Sequence, residues 1–375
     1  MNRIGIIAEY NPFHYGHVYQ INKIKELYPD SIIIVIVSTT FTQRGEISLI
    51  NKWDKTKICL EYGVSLVVEL PTLYATQSAD VFSYGALKIL NSLEIDTLVF
   101  GSECNDVKLL MNLADMQLHD DKYNDLVKKY LDSGKNYPSA MSLALYDLSG
   151  IKIDKPNDLL GLSYVKEIIK NKYPITPVTI KRTNDYHGNI VNSNIVNASL
   201  IRKMISNNDD ISSYVPSITL ECINRDISYD NIYSYLIYNV IVNKDILNTY
   251  LTVDEGIENR IIKYINVSKN WNELVNNIKT KRYTYNKINR MLIHILLGYK
   301  KEYNANDMYI RVLGFNSEGR KYLNKIKKNI TVYTNYKPNR SKMFDIEFQA
   351  TCIYSLITRD FSLIEKEYKN KPIIK

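Results

Sequence analysis

The chain has 375 residues, 45% of them hydrophobic and 23% charged, a length that suggests about two domains of ~150 residues and excludes a miniprotein, a fibrous chain or a disordered tail. Gly (14) and Pro (10) are too sparse for low-complexity sequence, and no uncharged apolar stretch approaches the ~18 residues of a membrane span. The net charge of +8 is unevenly spread: residues 1–200 carry 20 basic and 22 acidic side chains, and residues 201–375 carry 28 and 18, which makes the second half a candidate polyanion binder.

Along the chain, short β-branched runs at 4–8, 32–37, 66–69, 97–100 and 177–181 predict strands, and amphipathic segments at 17–27, 52–62, 79–90 and 158–170 predict helices between them. Runs such as IIIVIV imply a parallel sheet covered on both faces. Residues 104–150 break the rhythm with helical pattern and read as an insertion. Beyond about residue 206 the strand signal nearly vanishes, and 211–297 reads as several helices, including EGIENRIIKYI and KINRMLIHILL. A last unit, YIRVLGF, EGRKYLNKIKK and NITVYT, reads as strand, helix, strand, followed by a helix near 348–357. The expected architecture is α/β: a Rossmann-like parallel-sheet domain over 1–205 with its helical insertion, then a mainly helical, basic domain over 206–375 containing a small α/β unit. Cys59, Cys104, Cys222 and Cys352 form no CxxC or zinc spacing, and the N-terminus lacks a signal-peptide core, so a cytoplasmic protein with free thiols is the expectation.

Ligands of open α/β sheets bind where strand ends feed helix N-termini. The first such junction is Ile7-Ala8-Glu9-Tyr10-Asn11-Pro12-Phe13-His14-Tyr15-Gly16-His17-Val18-Tyr19-Gln20. Unpaired backbone N–H groups and the positive end of the helix dipole make it an anion site before any side chain is considered. Gly16 lets a phosphate approach the backbone, and His14 and His17, three apart, share a helical face from which two imidazoles can donate to one phosphoryl group. Five histidines in the chain make the spacing alone a weak signal; its position in the first β–α junction strengthens it. A zinc site is the other reading, but no cysteine or carboxylate accompanies the pair at ligand spacing, and no metal site is assigned. Asn197-Ala198-Ser199-Leu200-Ile201-Arg202 suggests a second anion site, with Ser199 capping a helix and Arg202 neutralising a phosphate; a plain capping serine beside a solvated arginine is the alternative.

The HYGH loop with ASLIR further on resembles the HxGH nucleotidylyltransferase superfamily. EYNPFHYGH, FTQRGE (41–46), VVELPT (67–72), FGSE (100–103), PNDLLGLSYVKEI (156–168), TIKR (179–182), EGIENR (255–260), KTKRYT (279–284) and RVLGFNSEGR (311–320) together resemble one branch of it, the bacterial tRNA(Met) cytidine acetate ligases, over nearly the whole length. That resemblance implies that ATP and acetate give acetyl-adenylate and pyrophosphate, and that the acetyl group passes to N4 of the wobble cytidine of elongator tRNA(Met). It also implies that residues 7–20, Gly101, Asn157 and Arg182 contact ATP, with Mg2+ entering on the nucleotide and neither DNA nor membrane as partner. By position, Gly101 follows the fourth strand and leaves room for a base or ribose, Arg182 ends the fifth, and Asn157 stands at a helix start, where it either reads polar edges or simply caps. Tyr15, Thr39 and Asn197 depart from the family pattern, which has Asn, Gly and Ser there.

Between Lys279 and Lys342 there are 16 Lys+Arg against 3 acidic residues, with Tyr283, Tyr285, Tyr299, Tyr309, Tyr322, Tyr333 and Tyr336 interleaved. Cations for phosphates and aromatic faces for unstacked bases are what single-stranded RNA recognition uses. Lys279, Lys281, Arg282, Lys287 and Arg290 are the candidate tRNA contacts. Two other functions share parts of this pattern: adenylyl transfer to a small phosphorylated metabolite, which leaves the basic half unexplained, and non-catalytic RNA binding, which leaves the histidine pair unexplained.

Overall fold

The computed structural model describes residues 1–182, 194–227, 229–303 and 308–375. Five parallel strands, β1 (Arg3–Ala8), β2 (Ile32–Ser38), β3 (Leu66–Leu70), β4 (Thr97–Ser102) and β5 (Thr176–Lys181), lie in the order β5-β4-β1-β2-β3. They coincide with the five runs read as strands. β2 is buried at all its positions, as its unbroken apolar sequence requires of a strand covered on both faces. The strand order reverses between β1 and β4, the place where such sheets take ligands. β1 pairs with β2 along its length, from Arg3 opposite Ile32 to Ala8 opposite Val37. With β4 it pairs only through Ile4 opposite Thr97 and Gly5 opposite Leu98. The two strands therefore part toward their carboxyl ends and open a crevice there.

Helices Val107–His119, Asp121–Asp132 and Tyr137–Ser149 form the insertion between β4 and the helix Pro156–Lys170. In the second half, helices Tyr229–Val242, Ile257–Ile265, Trp271–Ile278 and Tyr285–Leu297 bury the faces that their spacing marks, such as Ile257, Ile261 and Ile265.

The last unit does not stay with these helices. Strand β6 (Ile310–Phe315) pairs antiparallel with β3, Leu66 opposite Phe315, and carries β7 (Val332–Tyr333) and β8 (Ile373–Ile374) beside it. The sheet is thus not confined to residues 1–205. β3 is wholly buried, and without β6 its hydrogen-bonding edge would be open; local patterning cannot reveal a partner more than 240 residues away.

Buried charges lock this edge. Lys52 Nζ lies 2.7 Å from both Glu69 Oε2 and Glu367 Oε1. The Arg311 guanidinium pairs with Glu367 and lies 3.6 Å from Glu69, and the Tyr309 hydroxyl donates to Glu69 Oε1 at 2.6 Å. Two cations and two carboxylates balance inside the core and join the helix Lys52–Glu61, β3, β6 and the helix Ser362–Lys369. Removing one member would leave an uncompensated buried charge, at a cost of about 3–5 kcal/mol.

Nearby Glu347, on the helix Lys342–Thr358, accepts from Thr39 Oγ1 (2.8 Å) and the Thr72 N–H (2.6 Å). Burial, and then the neighbouring Glu69, push its carboxyl up to about 7. Because the folded value lies above the unfolded one, the stability this group contributes is full at low pH and is lost as pH rises toward 7. Glu347→Gln, which mimics the protonated form, should therefore raise Tm at pH 8 by an amount equivalent to about 2–3 kcal/mol. Thermal denaturation should show the gain vanishing near pH 4.5; a Tm difference independent of pH would contradict this.

Candidate active site

The helix after β1 begins at Tyr15, two residues before the sequence pattern suggests, so His14 is its N-cap and His17 its third residue. This placement turns the two histidines into a reciprocal cap. The Gly16 N–H donates to His14 Nδ1 (3.0 Å), and the His14 N–H donates to His17 Nδ1 (3.1 Å). Two of the helix's orphan donors are satisfied in this way. Both Nδ1 atoms are acceptors, so each ring carries its proton on Nε2. The rings lie 3.8 Å apart between centroids, with Tyr10 packed edge-on to His17 at 4.7 Å. Burial, then Arg182 and Arg202, lower the His14 pKa to about 3; burial, then His14 and Arg182, hold His17 well below its usual range. The pair is neutral, with two Nε2–H donors. Gly16 also has a reason more specific than room for a phosphate: a Cβ there would stand 2.7 Å from His14 Cε1, in the ring that folds back on it.

The pair lines a cleft of about 1170 Å³. Of the residues 7–20 expected at the nucleotide, Ile7 to Asn11, His14, Gly16, His17, Tyr19 and Gln20 line it, whereas Pro12, Phe13, Tyr15 and Val18 do not. Phe13 is core. Gly101, Asn157, Arg182, Ser199 and Arg202 all line the same cleft. A Cβ on Gly101 would stand 3.3 Å from the Arg182 side chain. Asn157 is not the helix cap: Pro156 occupies the first helical position after Lys155, and the Asn157 amide donates to Glu103 Oε1 (2.5 Å). Asp158 instead turns back to accept from Ser102 Oγ (2.6 Å) and the Glu103 N–H (2.9 Å), fixing the loop after β4.

Ser199 does not cap its helix either. Asn197 does, accepting from the Leu200 N–H at 2.9 Å, because an Asn side chain reaches the same donor from one residue before the helix. Ser199 Oγ is then free to accept from Arg44 (3.3 Å) and Arg202 (3.2 Å). Arg202 also donates to the Asn11 carbonyl (2.9 Å) and pairs with Glu46 (2.9 Å). Thr39, buried, is occupied with Glu347 and Thr72 rather than with the cleft.

The 41–46 loop, quoted from the sequence only as a motif, proves to be the hub of the site. The Gln43 N–H donates to Glu9, the Gln43 carbonyl accepts from Arg290 (3.0 Å), and Arg44 and Glu46 hold Ser199 and Arg202. Gly45, at φ 73°, packs so closely that a Cβ would stand 2.5 Å from Arg290 N. Lys55 was also missed: its Nζ donates to the carbonyls of Glu9 (2.6 Å) and Ser38 (2.8 Å) behind the loop, and burial lowers its pKa to about 7. The same rule that located the first β–α junction would have located the second, since β2 lies beside β1.

The far wall of the cleft comes from the helical half through Thr252, Glu255, Arg282, Thr284, Asn286, Lys287 and Arg290. Arg282 and Lys281 are exposed in the turn before the helix Tyr285–Leu297 and form no hydrogen bond or ion pair with a described residue. Lys279 Nζ donates to the Thr280 carbonyl and lies 5.4 Å from the Tyr285 ring centroid; Lys287 Nζ lies 4.0 Å from that of Tyr283. Arg290 is recessed, and burial lowers its pKa to about 10. The interleaved tyrosines are mostly not a stacking surface. Tyr283, Tyr299, Tyr309, Tyr322 and Tyr336 are buried in the core and Tyr333 is half-buried; of the seven only Tyr285 is exposed. In a chain with 31 tyrosines and 8 phenylalanines, tyrosine fills core positions: the Tyr322 hydroxyl donates to the Leu93 carbonyl at 2.6 Å, whereas the buried Tyr299 hydroxyl has no hydrogen-bond partner among the described residues.

The chain is similar to known proteins over its length. The HIGH Nucleotidyl Transferase family matches residues 1–369. A tRNA(Met) cytidine acetate ligase of Caldicellulosiruptor saccharolyticus is 38% identical, covering 100% of this chain and 98% of that one. One of Mycoplasma mobile is 42% identical over 80% of this chain and 99% of its own. The crystal structure of Thermotoga maritima TmcAL bound with alpha-thio ATP superposes with a TM-score of 0.89 at 27% identity, covering 100% of this chain and 99% of that one.

The reciprocal cap has a direct spectroscopic consequence. Both imidazoles should remain neutral Nε2–H tautomers from pH 8 down to about 5, because the folded His14 value is about 3 and that of His17 is also far below 6.5. Nitrogen-15 NMR of the rings should show protonated Nε2 and unprotonated Nδ1 throughout; an imidazolium signal forming near pH 6 would contradict the assignment.

Proposed function

This chain belongs to the tRNA(Met) cytidine acetate ligase family of HIGH nucleotidyl transferases, and we propose that its cleft joins acetate to tRNA in two steps at the expense of ATP. The observation that carries the reading is the pair of neutral Nε2–H donors, locked by reciprocal capping, at a helix N-terminus on the switch point of the sheet. In the first step an acetate oxygen attacks the α-phosphorus of ATP. The acyl-phosphate bond forms, the bond to the β-phosphate oxygen breaks, and pyrophosphate leaves with the electron pair. His14 and His17 donate to phosphate oxygens as charge moves onto them, and their neutrality avoids any proton transfer during the displacement. Arg182 and Arg202 supply fixed positive charge, Ser199 a hydroxyl, and Gly101 and Asn157 the wall against the nucleoside. In the second step N4 of the wobble cytidine of elongator tRNA(Met) attacks the acetyl carbonyl and AMP leaves.

The described residues contain no cluster of three His, Cys, Asp or Glu side chains able to hold a metal ion. A Mg2+ entering with the nucleotide would supply charge neutralisation on its phosphates. The labour divides between the sheet, which handles ATP, and the helical wall, where exposed Lys281 and Arg282 with Lys287 are placed to meet RNA phosphates and Arg290 holds the 41–46 loop. Among the described residues no helix is long and apolar enough to cross a membrane, and work on tRNA belongs in the cytoplasm.

His17→Ala removes one oxyanion donor and half of the cap, and should lower acetate-dependent pyrophosphate release by ~10²–10³-fold; a variant releasing pyrophosphate at the normal rate would remove the histidine from the mechanism. Reversing the charges of Lys281 and Arg282 to Glu should weaken tRNA binding and reduce its salt dependence by up to about two phosphate contacts' worth. Filter binding across a salt series checks this, and unchanged affinity at every salt concentration would place the RNA elsewhere.

A further inference from the structure

A second groove, of about 420 Å³, runs on from the main cleft between the EGIENR and KTKRYT segments. Glu255 and Arg282 are the residues that line both. The junction is built rather than loose: the Tyr283 hydroxyl donates to the Asp254 carbonyl at 2.7 Å, and Arg260 donates to the Asn277 carbonyl at 2.7 Å, tying the two segments together. Glu255 sits there at φ 59°, followed by Gly256 at φ 77°. Two successive left-handed residues are a strained way to present a side chain. Its carboxylate forms no hydrogen bond or ion pair with any described residue, and neither do the side chains of Lys281 and Arg282, which line the same groove. A carboxylate left unpaired where the groove lined by Lys281 and Arg282 meets the cleft of the histidine pair is placed for a ligand with its own donor.

Resting on the ligase reading above, we propose that Glu255 receives the cytosine. Chemistry on a base requires the base to leave its stack and enter the pocket, which an anticodon loop permits at small cost. The main cleft exceeds the ~300–1,000 Å³ of an ordinary small-ligand pocket, leaving space for a base beside a nucleotide. The backbone follows the groove past Lys281 and Arg282, and the base turns inward at Glu255. The exocyclic amino group is the feature that distinguishes cytosine from uracil, and a carboxylate is the side chain that accepts from it. As N4 attacks the mixed anhydride, the N4–acetyl bond forms, the acyl C–O bond to AMP breaks with its electron pair leaving on AMP, and the N4 proton passes to the Glu255 carboxylate and from there to water. Uracil, with a carbonyl at that position, offers neither a donor nor a nucleophile and faces a like partial charge.

Glu255→Gln tests this in the full-length protein with three readouts. Exchange of labelled pyrophosphate into ATP in the presence of acetate should stay within about twofold of normal, since the first step does not involve the base. Acetyl transfer at saturating tRNA should fall by ~10²-fold or more, the span of a lost general base, with Glu255→Asp recovering part of it. The wild-type protein should bind tRNA with wobble cytidine about tenfold more tightly than the same tRNA with uridine there, and the Gln variant, whose amide can both donate and accept, should bind the two alike. Transfer at the normal rate would overturn the proposal, as would loss of pyrophosphate exchange, or weaker binding of both tRNAs with saturated transfer unchanged. Failure of the wild-type protein to support acetate-dependent exchange would instead overturn the ligase reading itself.

Discussion

The site depends on one small arrangement, the exchange of hydrogen bonds between His14 and His17 across the first turn of the helix after β1. A helix start leaves backbone N–H groups unpaired, and Ser, Thr, Asp or Asn side chains ordinarily satisfy them. Here two imidazoles do so through Nδ1, and each is thereby committed to carrying its proton on Nε2. The capping requirement and the chemical requirement are met by the same two bonds. Gly16 is the third member of the arrangement, because the ring that caps occupies the space where its Cβ would stand.

Around that cap the structure adds charge without adding protons. Arg182 and Arg202 approach from the end of β5 and from the Ala198–Ser206 helix; burial, and then these two cations, keep His14 neutral, while burial, His14 and Arg182 do the same for His17. The 41–46 loop ties Glu9, Ser199, Arg202 and Arg290 together, so the nucleotide side and the helical wall share backbone and side-chain bonds through six residues. The helical wall is itself held by the sheet. β6 closes the edge of β3, and the buried Lys52, Glu69, Arg311 and Glu367 network fastens both ends of the chain to one core. A shared, rigid frame of this kind suits a two-step reaction whose intermediate must not be lost between steps.

Much of this was legible in the sequence, where the signal was local. The five parallel strands are short β-branched runs, and the histidines announce themselves by spacing and by following the first of them. What was not legible depended on distance or on competition between neighbours. Pairing of Leu66 with Phe315 leaves no local trace, so β6 read as part of a separate unit. Capping by Asn197 rather than Ser199, and the start at Pro156 rather than Asp158, are contests among adjacent residues with similar propensities, decided by the first turn's geometry. Tyrosine faces read as RNA platforms turned out to be core, because composition does not say which way a ring points. The 41–46 loop was visible as a motif but silent as to role, since its bonds run to residues up to 247 positions away.

The central claim is that a single cleft couples ATP cleavage to modification of a base. Incubating the protein with labelled acetate, ATP and bulk tRNA, then digesting the RNA to nucleosides, tests it directly. The account predicts label in N4-acetylcytidine, with one AMP and one pyrophosphate formed for each acetyl group transferred. Incorporation that proceeds without ATP, or ATP cleavage that never places label in a nucleoside, would contradict it.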